Sequence, residues 1–302
     1  MPRCGIVALA GRPNAGKSSL LNALVGEPLA IVSPKPQTTR EPVRGLLTDA
    51  ETQILFVDPA GLLDPTYPLQ RAMVRAALGA LRGADLVLHL HPLAEAPAPS
   101  LGALLRTLHA EQAVGAGIEG RTLTVYTKAD LSPGAARPDG GAPEGAAPAV
   151  IVSARTGAGL DLLLATIRGR IPEGPFVYPA DDVGTQPMRF FAAEFVREAV
   201  FATLEEELPY SVAVEIDEFR EAEDPVYIRA TLAVERDSQK AIVLGKGGRT
   251  IRAIGTAARE RIAAFLQRRV FLDLWVTVWP HWRRDPAVLA RLGLAVPTEP
   301  DR

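Results

Sequence analysis

Short apolar runs recur through the first half of the chain, at 5–10, 54–57, 85–90, 123–126 and 150–152, each bounded by glycine or polar residues. Runs of this length predict buried strands. The stretches between them at 18–25, 68–82, 101–114 and 160–170 carry apolar positions at helical spacing; Leu20, Leu21, Leu24 and Val25 share one face of the first. Strands alternating with helices predict an α/β domain with a mostly parallel sheet covered on both faces. The segments 91–100 and 132–149 read as loops, the second of low complexity and expected to be mobile.

The pattern changes after Ile171-Pro-Glu-Gly-Pro175, where proline and glycine punctuate the chain. One long helix over 188–206 is followed by polar/apolar alternation at 211–218 and 226–235, which predicts two half-buried strands. Helices over 238–243 and 248–269 and a strand over 270–278 complete a second, α+β domain. Trp279 and Trp282 lie near the end of that last strand and Trp275 within it; core or interface packing is the expected role for all three. At 302 residues the chain has room for two such cores.

Composition narrows the function. With 33 Lys and Arg against 35 Asp and Glu, the net charge of -2 indicates no general polyanion binder, so any nucleic-acid role needs a local patch. Such a patch exists. Residues 194–224 hold eleven acidic and two basic residues, whereas 225–291 hold thirteen basic and five acidic. One cysteine, Cys4, excludes an internal disulfide and any multi-cysteine zinc site. No apolar run approaches membrane-spanning length and no secretory leader opens the chain, so a cytoplasmic protein is expected.

Gly11-Arg-Pro-Asn-Ala-Gly-Lys-Ser18 has the spacing G-x4-G-K-S between a strand and a helix. In that context the backbone from Gly11 through Asn14, Ala15 and Gly16 to Ser19 can wrap a nucleotide's phosphates, with Lys17 neutralising the β/γ oxygens and Ser18 ligating Mg²⁺. Asp58-Pro-Ala-Gly61 follows the strand at 54–57 and matches D-x-x-G. Asp58 would hold the metal through water, and the Gly61 amide would sense the γ-phosphate. In Gln37-Thr-Thr-Arg40, Thr39 is the expected second Mg²⁺ ligand, with Thr38 the alternative. Lys17, Thr39 and Gly61 are thus the expected catalytic set. Leu62, directly after D-x-x-G, is apolar and cannot polarise water, which predicts slow intrinsic hydrolysis.

Thr127-Lys-Ala-Asp130 and Ser153-Ala-Arg155 each end a later strand. The Asp130 carboxylate can accept both the ring N–H and the exocyclic amine of guanine, a pair adenine lacks. Lys128 would lie along the base plane and the Ala154 amide would meet the guanine oxygen. In the second domain Gly245-Lys-Gly-Gly248 joins two helices, and 238–269 holds eight basic residues against the single acid Glu260. A G-x-x-G turn between helices is the clamp of a KH domain on single-stranded RNA. Lys246, Arg249 and Arg252 would supply the charge, and the element order is that of the type II fold.

Together these segments resemble the Era family of GTPases, with Gln186-Pro-Met-Arg189, Ser211-Val-Ala-Val-Glu215 and Trp282-Arg-Arg-Asp-Pro286 extending the match over nearly the whole chain. Two departures are Thr127, where the family usually has Asn, and Pro59-Ala60, where it usually has Thr-Pro. The resemblance implies a P-loop G domain at 1–172, a linker at 173–187, a type II KH domain at 188–290 and a tail at 291–302. It further implies a Mg²⁺-dependent GTPase cycling between GTP and GDP, binding the 3′ region of 16S small-subunit ribosomal RNA and assisting assembly of the 30S subunit. Peripheral association with the inner membrane face is also implied, and a monomer is expected. On this reading nucleotide state alters the RNA grip, with the acidic stretch 205–224 masking the groove in one state. The competing readings are a constitutive RNA-binding module and a membrane-associated regulator, in either of which hydrolysis is incidental.

Overall fold

The computed structural model describes residues 1–134 and 149–294. The chain forms two compact units. Of the described residues, the first comprises those in Met1–Ala30, Thr39–Thr66 and Gln70–Thr185; the second comprises Ile31–Thr38, Tyr67–Leu69 and those from Gln186 on.

In the first unit the strands are β1 (Arg3–Ala10), β2 (Val43–Thr48), β3 (Thr52–Asp58), β4 (Leu86–Pro92), β5 (Thr122–Thr127) and β6 (Val150–Ile151). They lie in the order β2-β3-β1-β4-β5-β6. Only β2 runs antiparallel, against β3. The sequence pattern omits β2 because Arg44-Gly45 interrupts its apolar run; the hairpin with β3 supplies the order that the pattern lacks. Helices α1 (Lys17–Val25), α2 (Pro68–Gly83), α3 (Leu101–Thr107), α4 (Glu111–Val114) and α5 (Leu160–Arg168) complete the α/β arrangement.

The single helix expected over 101–114 is broken. His109 adopts φ 51°, outside the helical region, so α3 and α4 are separate. Residues 173–184 run along the first unit: Leu46 N–H donates to Val183 O at 2.9 Å, and Gln53 Nε2 donates to Tyr178 O at 2.9 Å. Most of the expected mobile loop, 135–148, lies outside the described residues.

In the second unit, α6 (Met188–Thr203) and α7 (Leu208–Ser211) precede β7 (Ala213–Arg220) and β8 (Val226–Val234). Then come α8 (Asp237–Leu244), α9 (Arg249–Leu266), β9 (Val270–Val278) and α10 (Pro286–Arg291). The sheet order is β7-β8-β9, with β7 antiparallel and β9 parallel to β8. Phe191 and Phe195 of α6 pack on Phe265 of α9, with ring centroids 5.3 and 5.1 Å apart. The long helix stops three residues before its expected end, and the following strand starts two residues late because α7 intervenes.

The three tryptophans differ in burial. Trp282 is fully buried, its indole N–H donating to Ser211 O at 2.8 Å. Trp275 is 60% exposed, contrary to a core role, because odd positions of β9 point away from the helices. Trp279 is half-buried beneath the Arg291 guanidinium. Among the described residues no helix is long and apolar enough to cross a membrane.

Candidate nucleotide site and nucleic-acid interface

The loop between β1 and α1 ends on Gly16, which has φ 89° and serves as the N-cap of α1. The first turn of α1 thereby directs its unbonded N–H groups into the loop, where an anion is favoured. Lys17 lies 7% exposed, with Nζ donating to Arg12 O at 3.1 Å and Gly11 O at 3.5 Å. Burial pulls its ammonium below the ordinary value, and the Asp58 carboxylate pulls it partly back. A buried cation whose protein partners are carbonyl oxygens fits a phosphate well.

Three predicted metal ligands converge from separate segments. Ser18 Oγ donates to Asp58 Oδ2 at 2.6 Å and lies 3.3 Å from Thr39 Oγ1. Two hydroxyls around one carboxylate, all oxygen donors, match what a hard divalent cation takes. Thr38 sits in the second unit, and its carbonyl accepts from Arg197. Thr39 is therefore the threonine whose hydroxyl faces Ser18. Gly61 passes so close to the phosphate loop that a Cβ there would stand 2.6 Å from Pro13 N. Only glycine allows that approach. Leu62 is buried in the hydrophobic core with Ala8, Ala10 and Leu81, and its N–H donates to Gly11 O at 2.9 Å. Its side chain is a core element, turned from the solvent that a water-orienting group would face.

At the opposite lip, Asp130 is held at both oxygens. Ser153 Oγ donates to Oδ1 at 2.6 Å and Arg155 Nε to Oδ2 at 2.8 Å. These two hydrogen bonds, Ser153 first, hold its carboxyl below the usual carboxylate range. Thr127 is 4% exposed, and its hydroxyl donates to Ala15 O at 2.8 Å. Thr127 thus joins the end of β5 to the loop between β1 and α1. Lys128 follows at φ 58°, turning the chain out of β5, and Ala154 is half-buried beside Ser153.

In the second unit the turn between α8 and α9 holds Gly245, Gly247 and Gly248 at φ 70°, 62° and 75°. A Cβ on Gly245 would collide with the Thr250 side chain, whereas one on Gly247 would meet nothing within 4 Å. The outer face of the turn is therefore open to close approach by a polynucleotide backbone. Lys246, Arg249 and Arg252 are arrayed around it. Arg252 folds back, donating to the carbonyls of Gly247 and Gly248, and so braces the turn. Ile242, 57% exposed, adds an apolar surface beside the turn.

The sequence's division of charge is bridged at several points. Arg269 pairs with Asp224 at 2.8 Å, Arg268 donates to the carbonyls of Glu221 and Glu223, and Glu218 pairs with Arg220 and Arg229. Much of the acidic stretch is engaged by these partners on the neighbouring strands and by Arg268 and Arg269 after α9.

Residues 6–121 match the family model described as 50S ribosome-binding GTPase, and 207–283 match the KH domain model. GTPase Era of Geobacter metallireducens is 41% identical over 297 residues, covering 96% of this chain and 97% of that protein. The chain belongs to the Era family of GTPases. It is accordingly a GTP-hydrolysing enzyme. A point variant of Aquifex aeolicus Era bound to GDP.AlF4- is a similar solved structure, with a TM-score of 0.87 and 34% identity over 97% of this chain and 100% of that one. Era in complex with MgGDPNP and nucleotides 1506–1542 of 16S ribosomal RNA gives a TM-score of 0.86 and 33% identity over 98% and 100%. Era-family membership accounts for a P-loop domain followed by a KH domain in one chain.

Proposed function

We propose that this GTPase binds the 3′ region of small-subunit ribosomal RNA and assists assembly of the small ribosomal subunit, with the nucleotide state setting the strength of the RNA grip. The likeness to a solved complex of Era with MgGDPNP and that RNA region supports the choice of ligands. The observation that carries the RNA half is the turn at Gly245–Gly248, open over Gly247 and bordered by Lys246 and Arg249.

In this reading the backbone from Gly11 to Ser19, including Asn14, Ala15 and Gly16, surrounds the phosphates, and Lys17 balances their charge. Ser18 and Thr39, with Asp58 through water, would hold Mg²⁺. When bound, the ion would supply positive charge against the phosphates. Thr127 fixes the phosphate loop to the base site. Lys128 covers the base, Asp130 accepts its two N–H donors, and Ser153, Ala154 and Arg155 complete the rim. The Gly61 amide donates toward the γ-phosphate, so the loops at Thr39 and Gly61 are ordered by the triphosphate and released after hydrolysis. With Leu62 in the core, water is oriented by another group, and the intrinsic rate is slow. Gly245, Lys246, Gly247, Gly248, Arg249 and Arg252 form the RNA clamp.

We place the domains at 1–172 and 188–290, with a monomeric, cytoplasmic chain whose membrane association is peripheral and electrostatic. The test is titration of a small-subunit ribosomal RNA 3′ fragment with the protein bearing a non-hydrolysable GTP analogue, GDP or no nucleotide. State-dependent affinity is expected; equal affinity in all three would leave only a constitutive RNA-binding module. Crosslinking in cells, with sequencing of the bound RNA, identifies the client directly.

A further inference from the structure

The second unit contains a buried polar cluster that neither the phosphate chemistry nor the glycine turn uses. Its loop Ile31–Thr38 lies on α6 and is held at two points. Lys35 Nζ donates to Phe201 O at 2.6 Å and Leu204 O at 2.5 Å, where the C-terminal carbonyls of α6 lack helical partners and favour a cation. One turn or more earlier, Arg197 donates through Nη1 to Glu194 Oε1 at 2.5 Å and through Nη2 to the carbonyl of Thr38. Arg197 and Glu194 are 5% and 6% exposed. Burying this pair gives little net stability, because desolvation opposes the attraction; what it supplies is one defined position for Thr38.

The next residue makes that position matter. Thr39 belongs to the first unit, and its hydroxyl lies 3.3 Å from Ser18 Oγ. A single peptide bond therefore separates a carbonyl fixed by Arg197 from a hydroxyl aimed at the metal ligands. On its other side α6 is bound to α9: Arg261 pairs with Glu198 at 3.2 Å and stacks over Phe195 at 4.2 Å. Helix α9 begins at the glycine turn.

We propose that Arg197, with Glu194 and Lys35, is a positioning latch that couples the placement of Thr39 to α6, and through α9 to the Gly245–Gly248 turn. The proposal rests on the reading of the chain as a nucleotide-dependent RNA binder and names the residues through which that dependence passes. Coupling of this kind is reciprocal, so bound RNA should raise affinity for a GTP analogue by the same factor as the analogue raises affinity for RNA.

The experiment measures that factor, using a small-subunit ribosomal RNA 3′ fragment and a non-hydrolysable GTP analogue with Mg²⁺. It compares the full-length chain with a Lys35→Met variant and with the double variant Glu194→Met/Arg197→Met, which removes both buried charges together and leaves neither unpaired. In both variants the coupling should fall at least about threefold from a wild-type factor on the order of ten, while GDP affinity and nucleotide-free RNA affinity stay within about twofold. A single Arg197→Lys variant, retaining one donor for Thr38, should recover part of the coupling. Undiminished coupling in both variants would overturn the latch while leaving the nucleotide-dependent reading intact, and so would a uniform loss of GDP, analogue and RNA binding. Absence of coupling in the wild-type chain would fell both.

Discussion

The hydroxyl of Thr127 donates to the carbonyl of Ala15 at 2.8 Å, tying the end of β5 to the phosphate loop across 112 positions of sequence. Both groups are buried, so losing this bond strands the Ala15 carbonyl. Thr127→Val preserves shape and removes only the donor. It should weaken GTP and GDP equally, by about 1–2 kcal/mol or roughly five- to thirtyfold, with the guanine preference unchanged. Titration with a fluorescent GDP and with competing ADP checks both parts.

On the proposed reading, Asp130 carries the guanine preference. Asp130→Asn replaces one acceptor oxygen by a donor, which matches the C2 carbonyl of xanthine in place of the guanine amine. GTP affinity should fall at least about a hundredfold and XTP affinity should rise, as expected when a buried polar match is broken. In the parent chain the bonds from Ser153 and Arg155 keep the carboxyl ionised below the range of an ordinary aspartate. GDP affinity should therefore stay flat as pH falls toward about 4, where an unperturbed aspartate titrates. Isothermal titration across that range is the measurement, and Ser153→Ala should move the fall to higher pH.

The glycine turn separates two kinds of damage. Gly247 has open space around it and a left-handed φ of 62°, which Asp adopts at lower cost than most residues, so Gly247→Asp should lose a little stability, bind GDP normally and lose at least about tenfold in RNA affinity through the added negative charge. Gly245→Ala drives a methyl group into Thr250 and should lower thermal stability as well. Melting curves with RNA filter binding distinguish the two. If Gly247→Asp also lost GDP binding, the RNA and nucleotide sites would not be separable.

His89 should make the protein acid-sensitive. It is 1% exposed in β4, and burial first, then the nearby His91, lowers its pKa from 6.5 to about 4. Its imidazole stays neutral when folded and takes up a proton once unfolded. The stabilisation it permits is thus complete above pH 6.5 and lost as pH falls toward 4. About 2 kcal/mol should disappear between about pH 7 and about pH 5 from this group. Urea unfolding at the two pH values should show that difference shrinking in His89→Leu.

Much of the nucleotide site is local and therefore legible in sequence. The phosphate loop, D-x-x-G and the base-reading segments each follow a strand, and the parallel sheet brings those strand ends to one edge. Lys17, Ser18 and Asp58 come together without any long-range surprise. Trp275, at 60% exposure, lies on the outward side of β9 and not in the core, and β2 is not legible because pairing with β3 supplies the order its own residues do not.

Residue order alone was enough to specify the two-domain fold, the phosphate loop and the glycine turn between two helices, because each is set by residues within a few positions of one another and by the periodicity of the elements that flank them. The folded chain was needed to establish that Thr127 is a tie to Ala15, that Thr39 faces Ser18 while Thr38 is held by Arg197, and that Arg268 and Arg269 are engaged by the segment 221–224. Those choices depend on which distant backbone atom or carboxylate lies within hydrogen-bond reach, and spacing along a chain carries no information about that distance.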